Sequence, residues 1–234
     1  MSRHLNNRDL AYEQIAADWG SFMDNYDLRR RIEVLVHDFL GDRVAGKSVL
    51  DAGCGLGDFS QALAVLSPSR HVAVDISPSL VSALQHKMPT VDARVADLLD
   101  LPAALGQETF DLVVCSEVIE HTPDPLLAVR NLAAHVRPGG MLALSCPNAL
   151  WKWSLYCAKT LGVRKKYLGY ENWQWGRSLK GELRACGLRV VREEGVHLLP
   201  WHVCPKSVLR ATDARLRRFT YGISVNLAVL AIRD

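Results

Sequence analysis

At 234 residues, 49% of them hydrophobic and 23% charged, the chain is long enough for a sizeable core and reads as one domain, or one domain carrying an insertion. A net charge of +3 says little about partners, and no apolar run approaches the roughly 18 residues that a bilayer span requires. The polar N-terminus leads into no signal-peptide core, and Cys54, Cys115, Cys146, Cys157, Cys186 and Cys204 are scattered without a Cys-x-x-Cys pair, which predicts reduced thiols in a cytoplasmic protein.

Residues 8–40 read as two helices. In the second, Leu28, Ile32, Leu35 and Phe39 form one apolar stripe and Gly41 supplies a stop. The first carries Tyr12, Trp19 and Phe22, and either packs on a sheet or closes over a site as a lid. Together they predict an N-terminal helical cap over residues 1–45, with the main domain at 46–234.

Ser48 to Phe59 is the organising stretch. A short apolar strand (48–52) ends in Gly53-Cys54-Gly55-Leu56-Gly57, and a helix over 58–66 begins immediately after. This is how a buried parallel strand hands over to a helix beneath a bound ligand in an open α/β sheet. The spacing is Gly-x-Gly-x-Gly, and Asp58 stands where a dinucleotide fold would have its third glycine. A carboxylate there suits the helix dipole but repels a pyrophosphate, so a ligand without phosphates is expected.

Strand and helix then alternate: a strand at 71–76, a helix from Pro78 to about Lys87 capped by Ser77, and strands at 93–96 and 110–115. A helix over 124–136 follows, then a turn at Pro138-Gly139-Gly140 and a strand at 141–146. Strands separated by single helices predict a parallel sheet with right-handed crossovers. Residues 148–176 break the rhythm: four of the six tryptophans lie here among lysines and arginines. A helix at 178–186, a strand at 188–194, a basic helix at 206–219 and a strand at 225–232 complete the chain.

Asp51, Asp75 and Asp97 stand at or just after successive strand ends, which in a parallel sheet lie on one edge. Asp75 comes 24 residues after Asp51, near the interval at which an acid reaches the ribose hydroxyls of a nucleoside. Asp97 could accept from an adenine amino group, and Asp51 could hold a ligand ammonium directly or through neighbouring backbone. Each could instead cap a turn, but three in register with a glycine turn favour a site.

In order and spacing, Val49–Gly57, Val74-Asp75-Ile76-Ser77, Ala96-Asp97-Leu98, Phe110–Cys115 and Arg137-Pro138-Gly139-Gly140 resemble the class I S-adenosylmethionine-dependent methyltransferases, over about residues 45–147. The resemblance implies an α/β, Rossmann-like, seven-stranded, mostly parallel sheet with helices on both faces and an antiparallel C-terminal hairpin. It implies that Gly53 and Gly55 line the methionine part of S-adenosylmethionine, Asp75 the ribose, and Asp97 with Leu98 the adenine. Asp51, Cys54, Ile76, Cys115, Glu117 and Tyr12 complete the implied cofactor contacts.

Glu117, Glu120 and His121 are spaced i, i+3 and i+4, so on a helical turn they would share a face and could hold a divalent cation such as Mg. This Glu-x-x-Glu-His pattern is similar to two relatives in which it is associated with a divalent cation, the ubiquinone-biosynthesis O-methyltransferases and the small-RNA 2′-O-methyltransferases. The RNA enzymes add a later histidine, where this chain reads Tyr170-Glu171-Asn172-Trp173; Glu171 and His197 are the substitutes to consider. The rival reading makes His121 a general base, or a packing residue.

The aromatic insertion is an acceptor-pocket wall, a peripheral membrane contact or packing on the sheet. The expected activity is methyl transfer to a hydroxyl of a small-molecule, natural-product, sugar or lipid-precursor acceptor. An RNA 2′-O-methyltransferase is the alternative, although no nucleic-acid-binding module is visible, and an inactive binding protein of the same fold is a third reading.

Overall fold

The computed structural model describes residues 25–154, 169–199 and 204–234. The first predicted helix, Tyr12 and residues 155–168 of the aromatic insertion lie outside the described residues.

Among the described residues seven strands form one sheet: β1 (Ser48–Ala52), β2 (Arg70–Asp75), β3 (Asp92–Val95), β4 (Phe110–Ser116), β5 (Val136–Pro147), β6 (Leu188–Val196) and β7 (Asn226–Arg233), in the order β3-β2-β1-β4-β5-β7-β6. The first five run parallel, and β7 inserts antiparallel between β5 and β6. The helices are α1 (Asn25–Ile32, continuing in wider π-type turns over Glu33–Leu40), α2 (Asp58–Val65), α3 (Pro78–Lys87), α4 (Leu101–Leu105), α5 (Pro125–Ala134), α6 (Gly176–Ala185) and α7 (Lys206–Leu216).

Both faces of the sheet are buried, which is why its strands read as unbroken apolar runs. Successive residues of one strand serve opposite cores. Leu50, Val113, Leu142 and Val229 pack with Leu132 of α5 and Leu183 of α6. Val49, Val114, Ala143 and Ala228 pack with Leu35, Phe39 and Leu40 of the α1 extension. The predicted stripe of α1 therefore buries against the sheet, with Phe39 fully enclosed.

Two boundaries depart from the sequence reading by three residues or more. The turn expected at Pro138-Gly139-Gly140 lies inside β5: Phe110 pairs with Val136 and Leu112 with Met141, so the intervening residues bulge out. Gly139 takes φ +74°, and a β-carbon on Gly140 would come 2.8 Å from the Asp111 carbonyl, so both positions need glycine. The basic helix α7 ends at Leu216 rather than at 219. No helix among the described residues is long and apolar enough to cross a membrane, and the described cysteines carry free thiols.

Candidate functional site

The C-terminal ends of β1, β2, β3 and β4 lie along one edge, and the glycine turn is folded onto it from β1. Gly53 and Cys54 both donate backbone N–H groups to the Val74 carbonyl, at 2.7 and 3.0 Å. Gly53, Gly55 and Gly57 adopt φ of +82°, +50° and +83°, conformations that other residues avoid. Gly57 then opens α2, with Asp58 in its first turn.

Asp75 closes this turn. Its Oδ2 accepts the Gly55 N–H at 2.9 Å and its Oδ1 accepts the Ser77 N–H at 3.0 Å. The carboxylate thus stands on the glycine turn, with Ile76 half-buried after it. Asp97 begins the next strand-end turn, accepting from Leu99 N at 2.9 Å, and is half-exposed beside buried Leu98.

The third acid is turned inward. Asp51 bonds Ser60 Oγ at 2.6 Å, tying the strand end to α2, and burial pushes its carboxyl up to about 7. Cys54 is buried beside it, and burial raises its thiol. Cys115 is enclosed in the core, so only its backbone stands at the strand end.

Gly53 also makes a close approach: a β-carbon there would overlap both methyl groups of Val118 in the loop after β4. Gly53→Ala is therefore expected to displace Val118 or the turn, and to lower affinity for an adenosyl ligand at least about tenfold by titration calorimetry.

The residues after β4 do not form the continuous helical turn that the i, i+3, i+4 spacing suggests. Glu117 adopts φ +55°, and only Ile119–His121 makes a tight helical turn. Glu117 Oε1 accepts from Ser145 Oγ at 3.0 Å, and Ser145 Oγ lies 3.0 Å from Ser116 Oγ. Arg31 of α1 reaches the same spot, its NH1 donating to Ser116 Oγ at 2.9 Å. Burial and the charge of Glu120 raise the Glu117 carboxyl well above its ordinary range, and Arg31 opposes the shift.

Glu120 is buried, its Oε2 has no hydrogen-bond partner among the described residues, and burial pushes its carboxyl up to about 8. His121 Nδ1 lies 3.0 Å from the Tyr170 carbonyl, and its Nε2 lies 3.6 Å from Glu120 Oε1. A carbonyl only accepts, so Nδ1 carries the proton and a neutral ring leaves Nε2 with a lone pair. The same segment of the insertion is stitched down by Asn172, whose N–H donates to the Glu120 carbonyl and whose Nδ2 donates to the Thr122 carbonyl, both at 2.8 Å.

Glu117, Glu120 and His121 do not converge on a common centre. Among the described residues no three His, Cys, Asp or Glu side chains are grouped to hold a metal ion. Arg31 already supplies positive charge to both glutamates. This arrangement of the described residues does not fit a resident metal. His197 is no substitute ligand, because it is buried between Asp27 and Asp213. The sequence reading missed Arg31 in the site, although Asp27 and Arg31 stand one helical turn apart, a spacing that signals an ion pair.

Residues 24–193 match a family described as methyltransferase domain. A ubiquinone biosynthesis O-methyltransferase from Xanthomonas campestris pv. campestris (strain B100) is 43% identical over 117 residues, 47% of this chain and 48% of that protein. The chain thus spans about half the length of such curated relatives. One of the same name from Xanthomonas euvesicatoria pv. vesicatoria (strain 85-10) is 34% identical over 167 residues, 68% of this chain and 69% of its own. Among solved structures, the N-methyltransferase NodS from Bradyrhizobium japonicum WM9, in complex with S-adenosyl-L-homocysteine, superimposes with a TM-score of 0.68 at 18% identity, over 98% of this chain and 100% of its own.

Proposed function

The chain belongs to the methyltransferase domain family, and from that premise we propose that it transfers the methyl group of S-adenosylmethionine to a hydroxyl of a small-molecule, natural-product, sugar or lipid-precursor acceptor. The observation that carries the reading is the Asp75 carboxylate standing on a positive-φ glycine turn at the strand edge. The turn offers bare backbone and the acid offers lone pairs to ribose hydroxyls, while Asp58 discourages a pyrophosphate. The names of these relatives, ubiquinone biosynthesis O-methyltransferases, support oxygen as the target atom.

When bound, the donor supplies a methyl group on a sulfonium, a good leaving group that needs no covalent help from the protein. The protein's part is alignment and removal of the acceptor's proton. His121 is the base in this reading: the Tyr170 carbonyl fixes its tautomer, and Nε2 takes the hydroxyl proton as oxygen bonds to the methyl carbon and carbon–sulfur cleavage gives the neutral thioether. Glu120 Oε1, 3.6 Å from Nε2, faces the nitrogen that takes the proton.

The test is transfer of radiolabelled methyl from S-adenosylmethionine to a polyphenol, a sugar and an oligonucleotide, with and without a chelator. Label on the polyphenol or sugar, undiminished by chelation, is the expected result. Chelator-sensitive label on the oligonucleotide would establish the RNA reading instead. His121→Asn is expected to lower kcat about 10²- to 10⁴-fold with product affinity unchanged, by steady-state kinetics and calorimetry.

A further inference from the structure

The edge that holds the proposed methyl donor is connected to the C-terminal helix by a buried chain of charged groups. His197 follows β6 with no solvent exposure. Its Nε2 lies 3.1 Å from Asp27 Oδ1 of α1, and its Nδ1 lies 3.4 Å from Asp213 Oδ2 of α7. Asp27 Oδ2 is gripped by Arg31 through Nε and NH2, both at 2.9 Å, and Arg31 NH1 continues to Ser116 Oγ. Arg30 Nε stands 3.6 Å from Asp213 Oδ2, and Asn226 Nδ2 lies 3.5 Å from Asp27 Oδ1. A second, independent feature marks the position: His197 is held at φ +59°, a conformation uncommon outside glycine, and its carbonyl is pinned by Val225 N at 2.8 Å.

We propose that His197 is a positioning residue: clamped between Asp213 and Asp27, it latches α7 onto α1 and fixes Arg31 against Ser116, and thereby sets the geometry and charge beside Glu117 where donor and acceptor meet. The proposal rests on the methyl-donor reading for what the latch serves, but the latch itself is defined by contacts remote from the glycine turn.

The latch carries a pH signature. Two carboxylates face the ring and raise its pKa above the ordinary histidine value in spite of burial. The charged latch is therefore complete below that ordinary value, near 6.5, and is lost as pH rises through the raised one. The ionisable groups around the ring are Asp27, Arg30, Arg31 and Tyr26 from α1, and Asp213 from α7. Lys206 and Arg210 lie over the Tyr26 ring, 5.4 and 5.6 Å from its centroid.

The experiment is titration of S-adenosylhomocysteine into wild type, His197→Gln and Asp213→Asn across pH 6–9, paired with hydrogen exchange of the α7 amides. His197→Gln is expected to bind about tenfold more weakly at pH 6, to lose the wild-type decline towards high pH, and to speed α7 exchange at least about tenfold. The side-chain amide that Asp213→Asn introduces can donate to a neutral His197, so this variant is expected to stay near wild-type affinity at pH 6 and to lose the same decline. A role confined to packing predicts no such split. Wild-type affinity and pH dependence in His197→Gln, or unchanged α7 exchange in that variant, would overturn the proposal. If wild type itself fails to bind, the methyl-donor reading falls, while the exchange measurement still decides whether the latch exists.

Discussion

Asp75→Ala is expected to weaken S-adenosylhomocysteine binding by at least about tenfold to a hundredfold, from charge-assisted hydrogen bonds worth about 1.5–3 kcal/mol. Two effects add. The variant removes the acceptor proposed for the ribose hydroxyls, and it also releases the Gly55 and Ser77 N–H groups that now anchor the glycine turn. A turn without that anchor has to be ordered by the ligand, at further cost to affinity. Asp75→Asn keeps one oxygen as an acceptor and should fall between the two. Calorimetry at fixed pH separates the cases, and wild-type affinity in Asp75→Ala would contradict the assigned pose.

The largest stability effect is expected at Arg31. Its side chain is only 7% exposed, it pairs with Asp27, and it lies close to Glu117 and Glu120. Arg31→Leu takes the guanidinium from buried Asp27 and Glu120 and should cost about 3–5 kcal/mol, the range found when one partner of a buried ion pair is removed. The melting temperature should fall by about 6–20 °C for a domain of this size.

The penalty should also depend on pH. Burial pushes Glu120 up to about 8, above its ordinary value, so between about 4.5 and 8 the folded state holds a proton that the unfolded state has released. Stability contributed by that group falls as pH rises through this window. Without Arg31 the acids are harder still to ionise, and the window extends upward. Arg31→Leu should therefore be more damaging at pH 8 than at pH 5.5. A loss under about 1 kcal/mol at both pH values, by denaturant titration, would contradict this account.

The sheet was legible because its strands are buried on both faces: Leu112 to Cys115 is apolar throughout, and the helices between strands reveal a parallel order. The glycine turn, Asp75 and Asp97 were legible because they depend on local spacing at strand ends. The bulge in β5 was not, because Pro138-Gly139-Gly140 has the composition of a turn and only pairing with β4 keeps it within the strand. The left-handed Glu117 defeated the helical-face argument for Glu117, Glu120 and His121, since a single residue's φ leaves no periodic signal. Arg31 with Ser116, and His197 with Asp27, are separated by 85 and 170 residues, so their meeting is a consequence of the sheet order and not of any motif.

The central claim is that the β1–β2 edge cups an adenosyl group. A crystal structure with S-adenosylhomocysteine tests it most directly: the ribose hydroxyls should lie within about 3 Å of the Asp75 carboxylate, with the adenine beside Asp97 and Leu98. Density for the nucleoside elsewhere on the protein, or a ribose without contact to Asp75, would contradict it.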